Sequence, residues 1–182
     1  MLIYVDEYIK SDLYRYYEDT SIKTLFKGLI RNRSFREMYK VRLCQNGRRG
    51  WRSFGRLWLK LLPNRNVQIS PLTKLGYGLY IAHGGPVIVN ETATIGNNCN
   101  LSQFCTIGAN NGRAAVIGDN VYIGPNVCVV EDVTIGNNVT VGAGSVVTKN
   151  IPDNATIAGN YAKVLNYANP GRYVKSRWNN VV

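Results

Sequence analysis

The feature that most limits how this chain can fold is an aliphatic residue returning every sixth position. It runs Ile69, Leu75, Ile81, Val87, resumes two residues later at Val89, Ile95, Leu101, Ile107, and after four extra residues continues Ile117, Ile123, Val129, Ile135, Val141, Val147. Glycine usually follows, as in Ile95-Gly96 and Ile117-Gly118, and a small or β-branched residue stands four places on, as at Cys99, Cys105, Val121, Val127, Val133, Val139 and Ser145. A period of six fits neither α-helix nor coiled coil, and the Gly and Asn content would dissolve a helix. A β-sandwich would alternate with period two. The pattern therefore predicts a mainly β protein. Residues 67–165 form a parallel β-helix of hexapeptide repeats, inward aliphatic residues stack coil on coil, and Gly and Asn sit at corners needing φ > 0. Two breaks interrupt the count, a slip around Val87–Val89 and a loop over 109–116, and loops on a rigid scaffold are where binding usually sits.

Residues 1–66 read as a small N-terminal α-helical cap, since a solenoid end exposes strand edges and core that must be covered. A first helix lies within 3–19. Thr20-Ser21 caps a second, which carries Ile22, Leu25, Phe26 and Leu29. Ser34 caps a third, stopped near Asn46-Gly47, and Trp51 to Leu62 make a fourth, ended by Pro63. Residues 166–182 are a tail, either a short helix or extended. The net charge of +11 is concentrated in the front: residues 1–66 hold 15 Lys/Arg against 6 Asp/Glu. With Trp51, Phe54 and Trp58 among Arg52, Arg56 and Lys60, the fourth helix suits an anionic membrane surface as well as a cap. No nucleic-acid-binding fold is visible, and the charge is not part of the repeat.

Cys44, Cys99, Cys105 and Cys128 have no metal-ligand spacing, and the three in the solenoid read as core filler. The opening LIYVDEYIKSDLYRYYED is too polar for a secretory signal, and there is no apolar run of membrane-spanning length, so a cytoplasmic protein with reduced thiols is expected. His83 is the only histidine. That excludes a β-helix carbonic anhydrase, whose zinc needs about three. A Ser-His-Asp hydrolase is excluded for want of a nucleophile turn. No metal site is expected. One neutral imidazole is what acyl transfer from a thioester to an alcohol needs, because the thioester is already activated. A base takes the alcohol proton, and backbone N–H groups such as those of His83-Gly84-Gly85 meet the oxyanion.

The runs GLYIAHGGPVIVNETATIG (78–96) and IGNNVTVGAGSVVTKNIPDNATIAGNYAKV (135–164) resemble the serine acetyltransferases of the hexapeptide-repeat acyltransferases. SFREMYKVRLCQNGRRG resembles the end of the helical region preceding the solenoid in that family. The resemblance implies a left-handed β-helix, a homotrimer, and acetyl-CoA as co-substrate in a groove between neighbouring solenoids. It makes His83 the general base. Gln68 stands where the family has the Asp that orients the histidine, and its carbonyl is expected to accept from Nδ1–H. Glu91 matches the family's Gly-Glu-Thr and is a candidate partner. Ala143, Thr148 and Lys149 match CoA-contacting positions, Lys163 a basic position near the CoA phosphates, and Ala109 and Pro125 positions whose backbone meets the pantetheine arm. Ala82 and Ala114 stand where the family places an Asp and a His that help hold serine. The expected acceptor is therefore a sugar hydroxyl, small or lipid-linked, in surface polysaccharide synthesis. Serine is the alternative, and a non-catalytic scaffold is the reading from another class.

Overall fold

The computed structural model describes residues 3–179. Helices α1 (Glu7–Tyr17), α2 (Ile22–Arg31), α3 (Arg33–Asn46) and α4 (Arg49–Leu61) come first. A left-handed parallel β-helix with three faces follows. One face stacks β1 (Val67–Ile69), β4 (Val87–Val89), β7 (Thr106–Gly108), β10 (Cys128–Val130) and β13 (Val146–Val147). The second stacks β2 (Lys74–Leu75), β5 (Thr94–Ile95), β8 (Val116–Ile117) and β11 (Thr134–Ile135). The third stacks β3 (Tyr80–Ile81), β6 (Asn100–Leu101), β9 (Tyr122–Ile123), β12 (Thr140–Val141) and β14 (Thr156–Ala158), with β15 (Lys163–Asn166) added antiparallel at its edge. Ile117 pairs with Ile135, so a regular coil is three hexapeptides.

From Ile95 to Val147 the repeat's aliphatic residues are at most 1% exposed, and each contributes about 1.5–3 kcal/mol by burial. The glycine after them has a different reason from the expected one. Gly118 is not in the positive-φ region, but a Cβ there would lie 2.6 Å from Asn137 Oδ1 of the next coil. Close approach of coils requires the glycine. The positive φ falls two residues later, on Asn98, Asn120, Asn138 and Asn154. Between them runs a ladder: Asn97 N–H donates to Asp119 Oδ1 (2.6 Å), Asp119 N–H to Asn137 Oδ1 (2.8 Å) and Asn137 N–H to Asp153 Oδ1 (2.7 Å).

Both breaks are corners that swell. Ile107 and Ile117 pair with Val129 and Ile135, which places four extra residues in the exposed loop after Ala109. The slip lies earlier than the sequence suggests. Ile81 pairs with Leu101 and Ile88 with Thr106, so the two extra residues fall in the turn at His83-Gly84, and β4 itself is regular.

The helices cover the open edge of the first coil. Arg42 and Asp12, both about 1% exposed, form a bidentate pair (2.8 and 3.0 Å). Arg42 also donates to Gly76 O (2.6 Å), and Asp12 accepts from Leu79 N–H (2.8 Å). Glu37 accepts from Val67 N–H (2.8 Å) and Ser11 from Gly78 N–H (2.9 Å). These groups, one on β1 and the rest in the corner between β2 and β3, lie on the open edge that no further coil reaches. Ser21 caps α2 as expected, but α3 is capped by Asn32, whose Oδ1 accepts from Phe35 N–H (3.0 Å). Only Asn32 separates α2 from α3, so Ser34 is already inside the helix. Residues 171–178 form a strap. Val174 and Trp178 are buried, Trp178 N–H donates to Asn98 (2.7 Å), Asn100 donates to Tyr173 O (3.1 Å), and Gly171 N–H donates to Asn138 O (2.6 Å).

Candidate active site

The swollen corner at His83 joins the third face to the first. Its two extra residues carry His83 outward, exposed, with φ +58° and no hydrogen-bond partner among the described residues. The cap braces the corner from both sides. Tyr16 of α1 accepts from Ile81 N–H (2.9 Å) and donates to Ile81 O (3.1 Å), two residues before His83, and burial raises its phenol well above the usual range. Asn66 donates to Gly84 O (2.7 Å), and Ser34 Oγ of α3 lies 3.6 Å from where a Gly84 Cβ would stand. Gly85 packs where a Cβ would meet Gln103 Cβ at 2.6 Å, so this glycine allows the bulged coil to sit on the next.

Further along the same corner the coils stack by backbone bonds: Phe104 N–H to Pro86 O (2.5 Å), Asn126 N–H to Gln103 O (3.1 Å) and Gly144 N–H to Pro125 O (2.8 Å). His83, Pro125 and Ala143 thus share one edge. Between His83 and Pro125 stands Phe104, 56% exposed with φ +61°. Its counterparts on the next two coils are Asn126 and Gly144, which tolerate that conformation, whereas a bulky residue is held there at a cost of about 1–2 kcal/mol. The repeat gave no sign of Phe104; the signal was an aromatic in a column of Asn and Gly.

The remaining candidates lie across the first face. Its outward column is Gln68, Ile88, Thr106, Cys128 and Val146. Gln68 points out from β1 and makes no hydrogen bond to His83 among the described residues, because the histidine sits on the corner and not over the strand. Glu91 lies at the other end of β4, where Ser70 Oγ donates to its Oε2 (3.5 Å), so it is not brought to His83 either. Gln68 and Glu91 share a depression with Leu59 and Pro63. Ala109 follows β7 on that second corner and accepts from Asn90 Nδ2 (3.3 Å). Thr148, Lys149 and Lys163 come together, lining a groove with Tyr161 and Ala162. The face is therefore flanked by two site edges, one with His83, Pro125 and Ala143, the other with Ala109, Thr148, Lys149 and Lys163.

Cys99 and Cys105 are core filler as expected, their thiols pushed up to about 12 by burial. Cys128 is not. It pairs with Thr106 and Val146 on the outward column, since Val127 and Val129 on either side of it take the inward positions. Ala82 and Ala114 are 9% and 1% exposed, small residues packed inward.

Residues 114–149 match the family of bacterial transferase hexapeptide (six repeats). Serine acetyltransferase 3, mitochondrial, of Arabidopsis thaliana is 31% identical over 149 residues, 77% of this chain and 36% of its own length. Serine acetyltransferase of Staphylococcus aureus is 38% identical over 97 residues, 51% of this chain and 46% of its own. Among solved structures, serine acetyltransferase of Neisseria gonorrhoeae in complex with serine is 32% identical with TM-score 0.67, over 86% of this chain and 67% of that one. This chain belongs to the serine acetyltransferase-like hexapeptide-repeat acyltransferases. It spans less than half the length of the curated relatives it matches, 40% of Arabidopsis serine acetyltransferase 4 and 36% of serine acetyltransferase 3. A Brucella abortus serine acetyltransferase in complex with coenzyme A, 24% identical with TM-score 0.70, shares the fold.

Proposed function

We propose that this acyltransferase-family chain moves acetyl from acetyl-CoA to an alcohol, with His83 as general base. One observation carries the reading: the coil is swollen by two residues at the single histidine, which is thrust outward on a corner held by Tyr16 and Asn66. The imidazole takes the proton as the acceptor oxygen attacks the thioester carbonyl. The C–S bond then breaks and the proton passes to the leaving CoA thiolate. Gly84 and Gly85 N–H groups, which donate no hydrogen bond among the described residues, are the candidate oxyanion donors. Acetyl-CoA runs along the edge of Ala143 and Pro125, and Lys149 and Lys163 meet its phosphates beside Thr148. Ala109 lines the second edge, and Gln68 and Glu91 the acceptor-side depression. A closed homotrimer completes the site by setting the His83 edge of one copy against the Thr148–Lys149 edge of the next, in a head-to-tail contact that closes as a ring.

L-Serine is the acceptor the relatives point to. A second reading, a sugar hydroxyl, small or lipid-linked, is favoured by Ala82 and Ala114, which bring no charge to pair with a zwitterion, and by exposed Phe104, an apolar platform for a sugar ring. Thiol release from acetyl-CoA, assayed with L-serine and with a glycoside panel, tests both. A kcat/KM of about 10⁴ M⁻¹s⁻¹ or more for one acceptor class is expected. Acetyl-CoA binding without turnover of either would leave the scaffold reading.

A further inference from the structure

The cap carries two outward faces that none of the described residues covers. On α4, Gly55 packs against Leu43 and Cys44 of α3, and Trp58 turns inward, stacking edge-on to Tyr39. Phe54, Leu57, Leu61 and Leu62 are left 40%, 53%, 68% and 62% exposed. On α2, Gly28 packs against Phe35, and Ile22, Phe26 and Ile30 are left 55%, 50% and 73% exposed. Lys23, Lys27 and Arg31 alternate with the α2 residues, and Arg52, Arg56 and Lys60 with those of α4. Residues 20–66 hold 13 Lys/Arg and one acid, Glu37, which is buried and bonded to Val67.

From this we infer that the helical cap docks on the surface of an anionic lipid bilayer. The exposed α4 side chains enter the headgroup boundary, and the arginines and lysines meet lipid phosphates and carboxylates. Charge argues against the other occupants. A second copy set face to face would place two mainly cationic surfaces together, with Asp19 at the start of α2 an exposed acid beside them. A nucleic acid would pair with the cations but leave Leu57, Leu61 and Ile30 in water, whereas anionic headgroups over hydrocarbon account for both components. The two tryptophans are not the anchors. Their rings belong to the cap core, and the aliphatic residues beside them face outward. Leu59 and Pro63, at the end of α4, line the depression that holds Gln68 and Glu91, so a docked cap sets that depression beside the bilayer. The inference stands whether or not the acceptor is a lipid-linked sugar.

The test is co-sedimentation of the full chain with phosphatidylcholine vesicles, with and without about 30 mol% phosphatidylserine, at low and high salt. Binding is expected only with the anionic lipid, and it weakens with salt. Each cation near such a surface is worth about five-fold in partitioning, so R52Q/R56Q/K60Q lowers binding by about 10²-fold. Leu57→Ser with Leu61→Ser lowers it with all charges kept. All five positions are at the surface, and circular dichroism and thermal unfolding should match the parent. Absent wild-type binding, equal binding to neutral vesicles, or binding untouched by both folded variants overturns the inference. So does pairing of copies through this face, or a single-stranded oligonucleotide that outcompetes vesicles.

Discussion

The solenoid and its cap are held together in different ways. In the solenoid every coil touches only its neighbours, through the same aliphatic stack and the same Asn and Asp ladder, so stability accrues coil by coil. The cap instead joins distant parts of the chain through a few polar bonds that do not repeat: Arg42 to Asp12, Asp12 to Leu79, Tyr16 to Ile81. His83 sits where the two meet. A regular coil would hold a corner residue close to the surface, and the swollen one needs bracing from outside.

Breaking the cap's central bond should have the largest effect. Asp12→Ala leaves the Arg42 guanidinium buried and unpaired, and denaturant unfolding should show a loss of about 3–5 kcal/mol. Tyr16→Phe crosses both regions. It removes both hydrogen bonds at Ile81, costs about 1–3 kcal/mol, and should lower kcat while acetyl-CoA affinity, read by calorimetry, is unchanged. If kcat and stability are both unaffected, the cap does not position the corner. Phe104→Asn lies within the repeat and should act in the opposite direction. It puts a tolerant residue at φ +61° and should stabilise by about 1 kcal/mol, raising Tm while weakening KM for any glycoside acceptor.

The same contrast decides what could be read from sequence. Because each coil repeats the last, the period alone gave the β-helix, the inward residues and the loop after Ala109. The cap's helices were legible from their apolar spacing, but their attachment was not, since Arg42–Asp12 and Tyr16–Ile81 join residues with no periodic relation. The site divided in the same way. His83 was visible as the one histidine beside a break in count, whereas the relation of Gln68 and Glu91 to it depends on which side of a corner each side chain leaves. Spacing of eight residues from His83 to Glu91 looked close, yet β4 runs between them. Phe104 was hidden because its meaning lies in a backbone angle.

The central claim is that His83, on its braced corner, is the base for acyl transfer. Its most direct test is the His83→Asn variant, assayed for thiol release from acetyl-CoA with the acceptor that the wild type turns over, beside calorimetric acetyl-CoA binding and thermal unfolding. The prediction is a fall in kcat of about 10²-fold or more with binding and melting unchanged. A variant that keeps most of its turnover would contradict it.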